Sequence, residues 1–249
     1  MAYHFIAIIS DFSGGRRIGW HYSSEDRLNK EYISEFFETV KKKCGKVQFG
    51  IHKLSTDSTS WESVTKKDSF FGDVAVTGDI TSFIEVISRD KELTAYDVAK
   101  FVLSFKPYSH LKLQKLLYYI YAEFLLKTGE KLFKDPILAF KYGPVVEDIF
   151  YKYKSHGKSI IDYQEDATIK ILTDDLVVTP SFMKVVSSEY GIEAVESITK
   201  VLFEYGDYAP FRLVNMTHQE GGPWQRAYEP GQNCVITDEL ITQYHQYAT

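Results

Sequence analysis

A hydroxyl, an imidazole and a carboxylate stand within four residues of one another at Thr217-His218-Gln219-Glu220. These are the groups from which an acyl-transferring triad is built. A triad needs them to converge in space, whereas residues adjacent in sequence point to different sides of any regular element. The segment runs on as Gly221-Gly222-Pro223-Trp224. Glycines make a turn, and proline suits a first helical turn, where its missing N–H has no partner in any case. The spacing therefore predicts a helix ending near His218, a glycine turn, and a new helix opening at Pro223 with Trp224 packed into the seam. A hydrolase or transferase using His218 and Glu220 is the alternative this segment leaves open.

Other chemistry has less local support. The seven histidines never recur as HxH, HxxxH or HExxH, so no metal site is written into a single element. Cys44 and Cys234 lie far apart without CxxC spacing, which predicts neither a disulfide framework nor a zinc site and fits a reducing cytoplasm. Gly14-Gly15 and Gly221-Gly222 match no phosphate-binding pattern and read as turns. No cofactor is expected.

The formal net charge of -5 gives no overall attraction for nucleic acid or an anionic membrane. Lys41-Lys42-Lys43 and Lys66-Lys67 are short runs beside acids and read as solvated faces. Lys112, Lys115, Lys152, Lys154 and Lys158, interleaved with Tyr151 and Tyr153, make a candidate basic patch for nucleic acid or an acidic partner. A DNA-binding autoregulator using the helix near Tyr151 to Lys158 follows as one reading, against which stand the acidic balance and the lack of a helix-turn-helix signature.

The elements that must position these residues fall into two groups. A chain of 249 residues, 44% hydrophobic and 25% charged, can bury sizeable cores without staples and is long for one domain. Its 15% aromatic content serves a core and also supplies interface anchors. Phe5-Ile-Ala-Ile-Ile9 is too short to span a bilayer and reads as a buried strand.

Residues 3–10 and 17–22 predict a hairpin around the turn Asp11 to Gly15. Ile33, Phe36, Phe37 and Val40 recur at helical spacing before Gly45. Val47 to Leu54 alternates with Val47, Phe49 and Ile51 on the apolar side, Ser55 to Ser60 reads as a loop, and short strands are expected near Phe70–Val76 and Phe83–Ile87. Residues 1–90 are thus predicted to form a small α+β domain on an antiparallel sheet, of unknown role. Ser88 to Glu92 is the expected linker.

Residues 91–249 read as mainly helical, which makes the fold class α+β. Thr94-Ala-Tyr-Asp97 is a capping box before a helix that Pro107 ends. Ser109 caps the strongest helix, in which Leu113, Leu116, Leu117, Ile120, Phe124 and Leu125 form one stripe up to Gly129. Tyr118, Tyr119 and Tyr121 spread around that helix, so some of them are expected at its rim. Pro136 to Tyr142 is extended, and Pro144 is expected to open a helix running to His156 before Gly157. Further helices are predicted at 180–190, 192–205 and 238–247, the last capped by Thr237.

Three of these segments, taken in order, carry a resemblance. Lys112-Leu113-Gln-Lys115-Leu116-Leu-Tyr118, then Lys141-Tyr142-Gly143-Pro144-Val145, then Thr217-His218 with Pro223-Trp224, followed by the stretch Ile236 to Leu240, resemble the Panacea domain of SocA-like antitoxins and phage-associated proteins, over about residues 96–244. Residues 1–90 depart from the family's minimal form. The resemblance implies a cytoplasmic, non-catalytic antitoxin of a toxin–antitoxin system that neutralises a cognate toxin, encoded next door, by direct contact. In one branch it also implies a proteolytic adaptor for a AAA+ protease. Candidate partner-binding anchors are Tyr118, Tyr142, Tyr151 and Trp224, while Leu116, Gly143 and Pro144 are expected to hold the fold.

Overall fold

The computed structural model describes residues 1–11, 15–45, 47–164, 171–173 and 176–249. The chain divides into two compact units, Met1–Lys91 and Glu92–Thr249. The fold is α+β, with a strand-rich first unit and a mainly helical second.

The first unit is built from β1 (Ala2–Asp11), β2 (Arg16–Ser24), α1 (Lys30–Cys44), β3 (Gly50–Thr56), α2 (Trp61–Lys67), β4 (Val74–Thr77) and α3 (Ile80–Lys91). Its sheet has the order β3-β1-β2-β4. β1 is antiparallel to both β2 and β3, but β4 runs parallel to β2, with Arg17 opposite Val74. The sheet is therefore mixed where an antiparallel one was expected, because the chain crosses over through α1, β3 and α2 before returning beside β2.

Both faces of β1 are covered, which explains its unbroken apolar run. Phe5, Ala7 and Trp20 meet Phe36 and Val40 of α1 and Phe83 and Ile87 of α3, while Ile6 and Ile8 meet Val64, Phe71 and Val74 on the other face. The rings of Trp20 and Phe36 stack at 4.1 Å.

Four local readings are corrected here. Phe83 and Ile87 belong to a helix, not a strand: they stand four apart on the buried face of α3, and the Asp79 side chain accepts from Ser82 N at 2.7 Å at its start. The expected linker at Ser88 is the last turn of the same helix. β3 begins only at Gly50; Val47 and Phe49, ahead of it, pack against the core as expected, but within the strand the phase is reversed, with Ile51 44% exposed and Leu54 packed against the core. The strand foreseen from Phe70 starts at Val74, after a 3₁₀ turn over Ser69–Phe71.

The second unit comprises α4 (Ala95–Phe105), α5 (His110–Thr128), β5 (Ile137–Phe140), β6 (Gly143–Val146), α6 (Glu147–Tyr153), β7 (Ile171–Thr173), β8 (Leu176–Val178), α7 (Pro180–Val186), α8 (Gly191–Tyr205), α9 (Pro210–Thr217), α10 (Pro223–Ala227) and α11 (Asp238–Tyr244). Thr94 and Asp97 close the capping box on α4, and Gly129 ends α5 in the left-handed conformation. α5 is the axis of the unit. It packs against α4, α8, α9, α11 and β6 and is buried nearly all round, so a helix with an apolar stripe also needs internal partners for its polar side chains.

Those partners come from the end of the chain. Tyr119 donates to Ala248 O at 2.7 Å, Tyr121 to Asp238 Oδ1 at 2.8 Å, and the Tyr118 hydroxyl meets His245 Nδ1 at 3.2 Å. All three tyrosines are at most 4% exposed. The expected rim position is therefore not found, because α11 and the 3₁₀ turn His245–Ala248 cover that side of α5.

Pro144 does not open a helix. It lies on β6 opposite Ala139, and α6 starts at Glu147. The Ala139 N–H donates outward to Cys234 O at 2.8 Å, so at this register position the missing proline N–H removes no ladder bond. α7 ends at Val186, short of the 190 expected, and α11 gives way to its 3₁₀ turn at His245.

Candidate functional site

Two of the sequence segments meet at one point. β6 lies along α5, and Gly143, with φ +100°, turns the β5–β6 hairpin over Lys115. A Cβ at Gly143 would sit 2.8 Å from Lys115 Nζ and 2.8 Å from Thr217 Oγ1. Only glycine admits this backbone and this approach. Lys115 is 0% exposed and donates from Nζ to Pro144 O at 2.8 Å. Its neighbour Gln114 accepts at Oε1 from Val146 N at 2.8 Å. α5 thus clamps β6 at both ends with consecutive polar side chains.

The third segment closes the other side. Trp224 donates from Nε1 to Phe140 O at 2.8 Å and stacks on the His218 ring at 3.7 Å, with 2° between the planes. Pro223 occupies the first turn of α10 after the glycine turn, with His218 capping α9, as the spacing predicts.

No triad forms from Thr217, His218 and Glu220. The buried Thr217 hydroxyl donates to Val214 O at 2.9 Å within its own helix, His218 Nε2 is buried without a partner among the described residues, and Glu220 is exposed. Among the described residues no group of three His, Cys, Asp or Glu side chains is placed to hold a metal ion.

Charge is distributed by burial. Burial alone brings the Lys115 ammonium down to about 7, because a buried cation with one carbonyl partner is poorly solvated. Burial, with Lys115's charge second, also lowers the His218 and His110 imidazoles. The predicted basic patch is consequently not a patch. Lys115 is internal, and Lys112 is turned inward to donate to Gly206 O at 2.6 Å, while Lys152, Lys154 and Lys158 remain outside.

Beside the clamp lies a cleft of about 570 Å³. Its buried side is made by His110, Gln114, Lys115 and Val145, with Phe140 and Phe150 half-buried beside them. Its exposed side carries Lys141, Tyr142, Lys158 and Phe211. Gln114 Nε2 and His110 Nε2 are buried here without hydrogen-bond partners among the described residues.

The four anchor candidates separate. Tyr118 at 1% exposure and Trp224 at 8% belong to the core and present almost no area to a partner. Tyr142 and Tyr151 are 56% and 53% exposed, each with a lysine over its ring, Lys141 at 5.7 Å and Lys154 at 4.7 Å. Leu113 and Leu116 are core residues of α5, and Val145 is a buried residue of β6. Sequence reasoning missed His110, Gln114 and Phe211 as cleft residues. Gln114 carried a signal, a polar side chain inside the most apolar helix; Phe211 carried none.

The second unit is thus a mainly helical domain with a polar-floored, aromatic-rimmed cleft. Residues 113–225 match the family model described as Antitoxin SocA-like, Panacea domain, so over those residues the resemblance read from the three motifs is borne out. Antitoxin SocA of Caulobacter vibrioides (strain NA1000 / CB15N) is 32% identical over 131 residues, 52% of this chain and 65% of that protein. The match therefore spans a little under two thirds of the relative's length. No solved structure matches. No helix among the described residues is long and apolar enough to cross a membrane.

Proposed function

We propose that this chain is the antitoxin of a toxin–antitoxin pair and neutralises its toxin stoichiometrically, by direct contact through the second unit, in the cytoplasm. The observation that carries the reading is the coincidence of the Panacea match over 113–225 with the cleft, whose lining includes Gln114, Lys115, Lys141 and Tyr142 from the first two motifs. An interface of ordinary size, about 1,600 Å² in total, with a few desolvated aromatic anchors gives tight binding without any chemistry. Tyr142 and Tyr151 are the anchors in this reading.

The test is co-expression of the full chain with the product of the adjacent gene, scored by growth and by co-purification. Rescue with a stable complex is the expected result. A harmless neighbour that forms no complex would remove the reading. Following the toxin's half-life in the same cells separates masking, in which the toxin persists, from delivery to a AAA+ protease, in which it disappears.

A further inference from the structure

We propose that the cleft between α5, the β5–β6 hairpin and the start of α9 receives a short apolar segment of the toxin that carries a carboxylate. This rests on the antitoxin reading above and specifies the chemistry of its partner.

The size of the cleft sets the kind of occupant. About 570 Å³ admits a few side chains and not a folded element. Its walls select apolar groups, since Phe140, Phe150, Val145 and Phe211 line it. Phe211 at 62% and Tyr142 at 56% exposure both line it and leave apolar area that an occupant would cover.

The floor sets the polar requirement. Gln114 Oε1 is already committed to Val146 N, so the unpartnered Nε2 has only donors to give. It asks for an acceptor oxygen. Lys115 spends one of its N–H groups on Pro144 O, and an ammonium carries three. Lys141 and Lys158 stand on the exposed side, and no Asp or Glu is among the residues lining the cleft. An acceptor that is also an anion satisfies the floor and the rim together, and a carboxylate attached to an apolar peptide satisfies the walls as well. A nucleic-acid phosphate meets the lysines but not the apolar walls, on a chain of net charge -5.

The experiment uses the full chain and two probes, acetyl-Leu-Phe as the free acid and as its amide, titrated while the Gln114 side-chain amide resonances are followed. The expected result is saturable shifts at Gln114 with the acid, and binding of the amide weaker by about tenfold. Two surface variants, Phe211→Ser and Lys158→Glu, should lose peptide binding and toxin neutralisation together at an unchanged melting temperature. Gln114→Glu, which keeps the acceptor for Val146 N–H and removes the donor, should abolish the preference for the acid.

Equal binding of acid and amide overturns the inference, as does full neutralisation by the Phe211→Ser/Lys158→Glu double variant; in both cases the antitoxin reading survives. Protection of the Gln114 resonances by duplex DNA or by a second copy of the chain, with no response to the acid, overturns it too. Failure of the unmodified chain to neutralise the adjacent gene's product removes the antitoxin reading and this occupant with it.

Discussion

Lys115 Nζ donates to the carbonyl of Pro144 at 2.8 Å from a position with no solvent exposure. One neutral acceptor does not repay the desolvation of an ammonium, and the amine is brought down to about 7. The unfolded chain holds that proton up to about pH 10, so between pH 7 and 10 the unfolded state binds more protons and stability rises with pH. Below pH 7 the full cost of the buried charge is carried. Lys115→Met should therefore melt at a higher temperature than the parent at pH 7, and that advantage should shrink as pH rises to 9. Thermal melts at the two pH values check this, and a variant that melts well below the parent at both would sink it.

Gly143→Ala meets two obstacles. The backbone sits at φ +100°, and the new Cβ falls 2.8 Å from both Lys115 Nζ and Thr217 Oγ1. The lysine end is flexible, but the Thr217 side chain is fixed in a helix. A loss of about 2 kcal/mol or more is expected from strain and overlap, read as a shift of the urea midpoint at constant slope.

Trp224 is a core residue with one polar duty. Trp224→Ala should cost about 3–5 kcal/mol, whereas Trp224→Phe keeps the stack on His218, forfeits the bond to Phe140 O, and should cost about 1–2 kcal/mol. A Trp224→Ala protein that melts like the parent but fails to bind the toxin would reverse this assignment and make Trp224 an anchor.

His245 gives the second unit an acid-sensitive seam. Burial lowers its imidazole to about 4, against about 6.5 when unfolded. As pH falls from about 6.5 towards 4 the unfolded state takes up the proton first, so stability declines across that window by about 3 kcal/mol at most. Denaturant midpoints at pH 7 and 5 should differ less in His245→Gln than in the parent, and an equal difference in both proteins would exclude His245 as a source.

Tyr142 and Tyr151 are more than half exposed, so alanine at either should change stability by no more than about 0.5 kcal/mol. If they anchor the toxin, each truncation costs about 2 kcal/mol or more of binding, some thirtyfold or more in Kd. Calorimetry with the purified partner distinguishes an anchor from bare surface.

Much of the local structure was legible because its causes lie within one or two turns of chain. The capping box at Thr94 and Asp97, the stop at Gly129, the cap at Thr237 and the glycine turn before Pro223 are short-range signals, and each forms where the spacing places it; Ser109 holds the N-cap position of α5 but its side chain makes no capping bond. The three ordered motifs also marked out the stretch that matches the Panacea model.

What failed were readings in which two local rules agree with more than one environment. Phe83 and Ile87 are β-prone residues spaced for a helix, and the packing of α3 on the sheet chose the helix. Pro144 suits a helix start or a strand position free of ladder bonds, and Cys234, ninety residues later by number, decided it by taking the Ala139 N–H.

By itself, then, the sequence determined the helix periods, the caps and turns, the two-part α+β composition and the motif order. Only the tertiary structure decided that Lys115 is internal, that Tyr118, Tyr119 and Tyr121 are sealed by the chain's last residues, and that Gln114 and Phe211 share a cleft. The physical reason is distance along the chain. A helix or cap is fixed by neighbours within about four residues, whereas burial of a polar side chain depends on partners such as Pro144 for Lys115, 29 positions away, or Ala248 for Tyr119, 129 away.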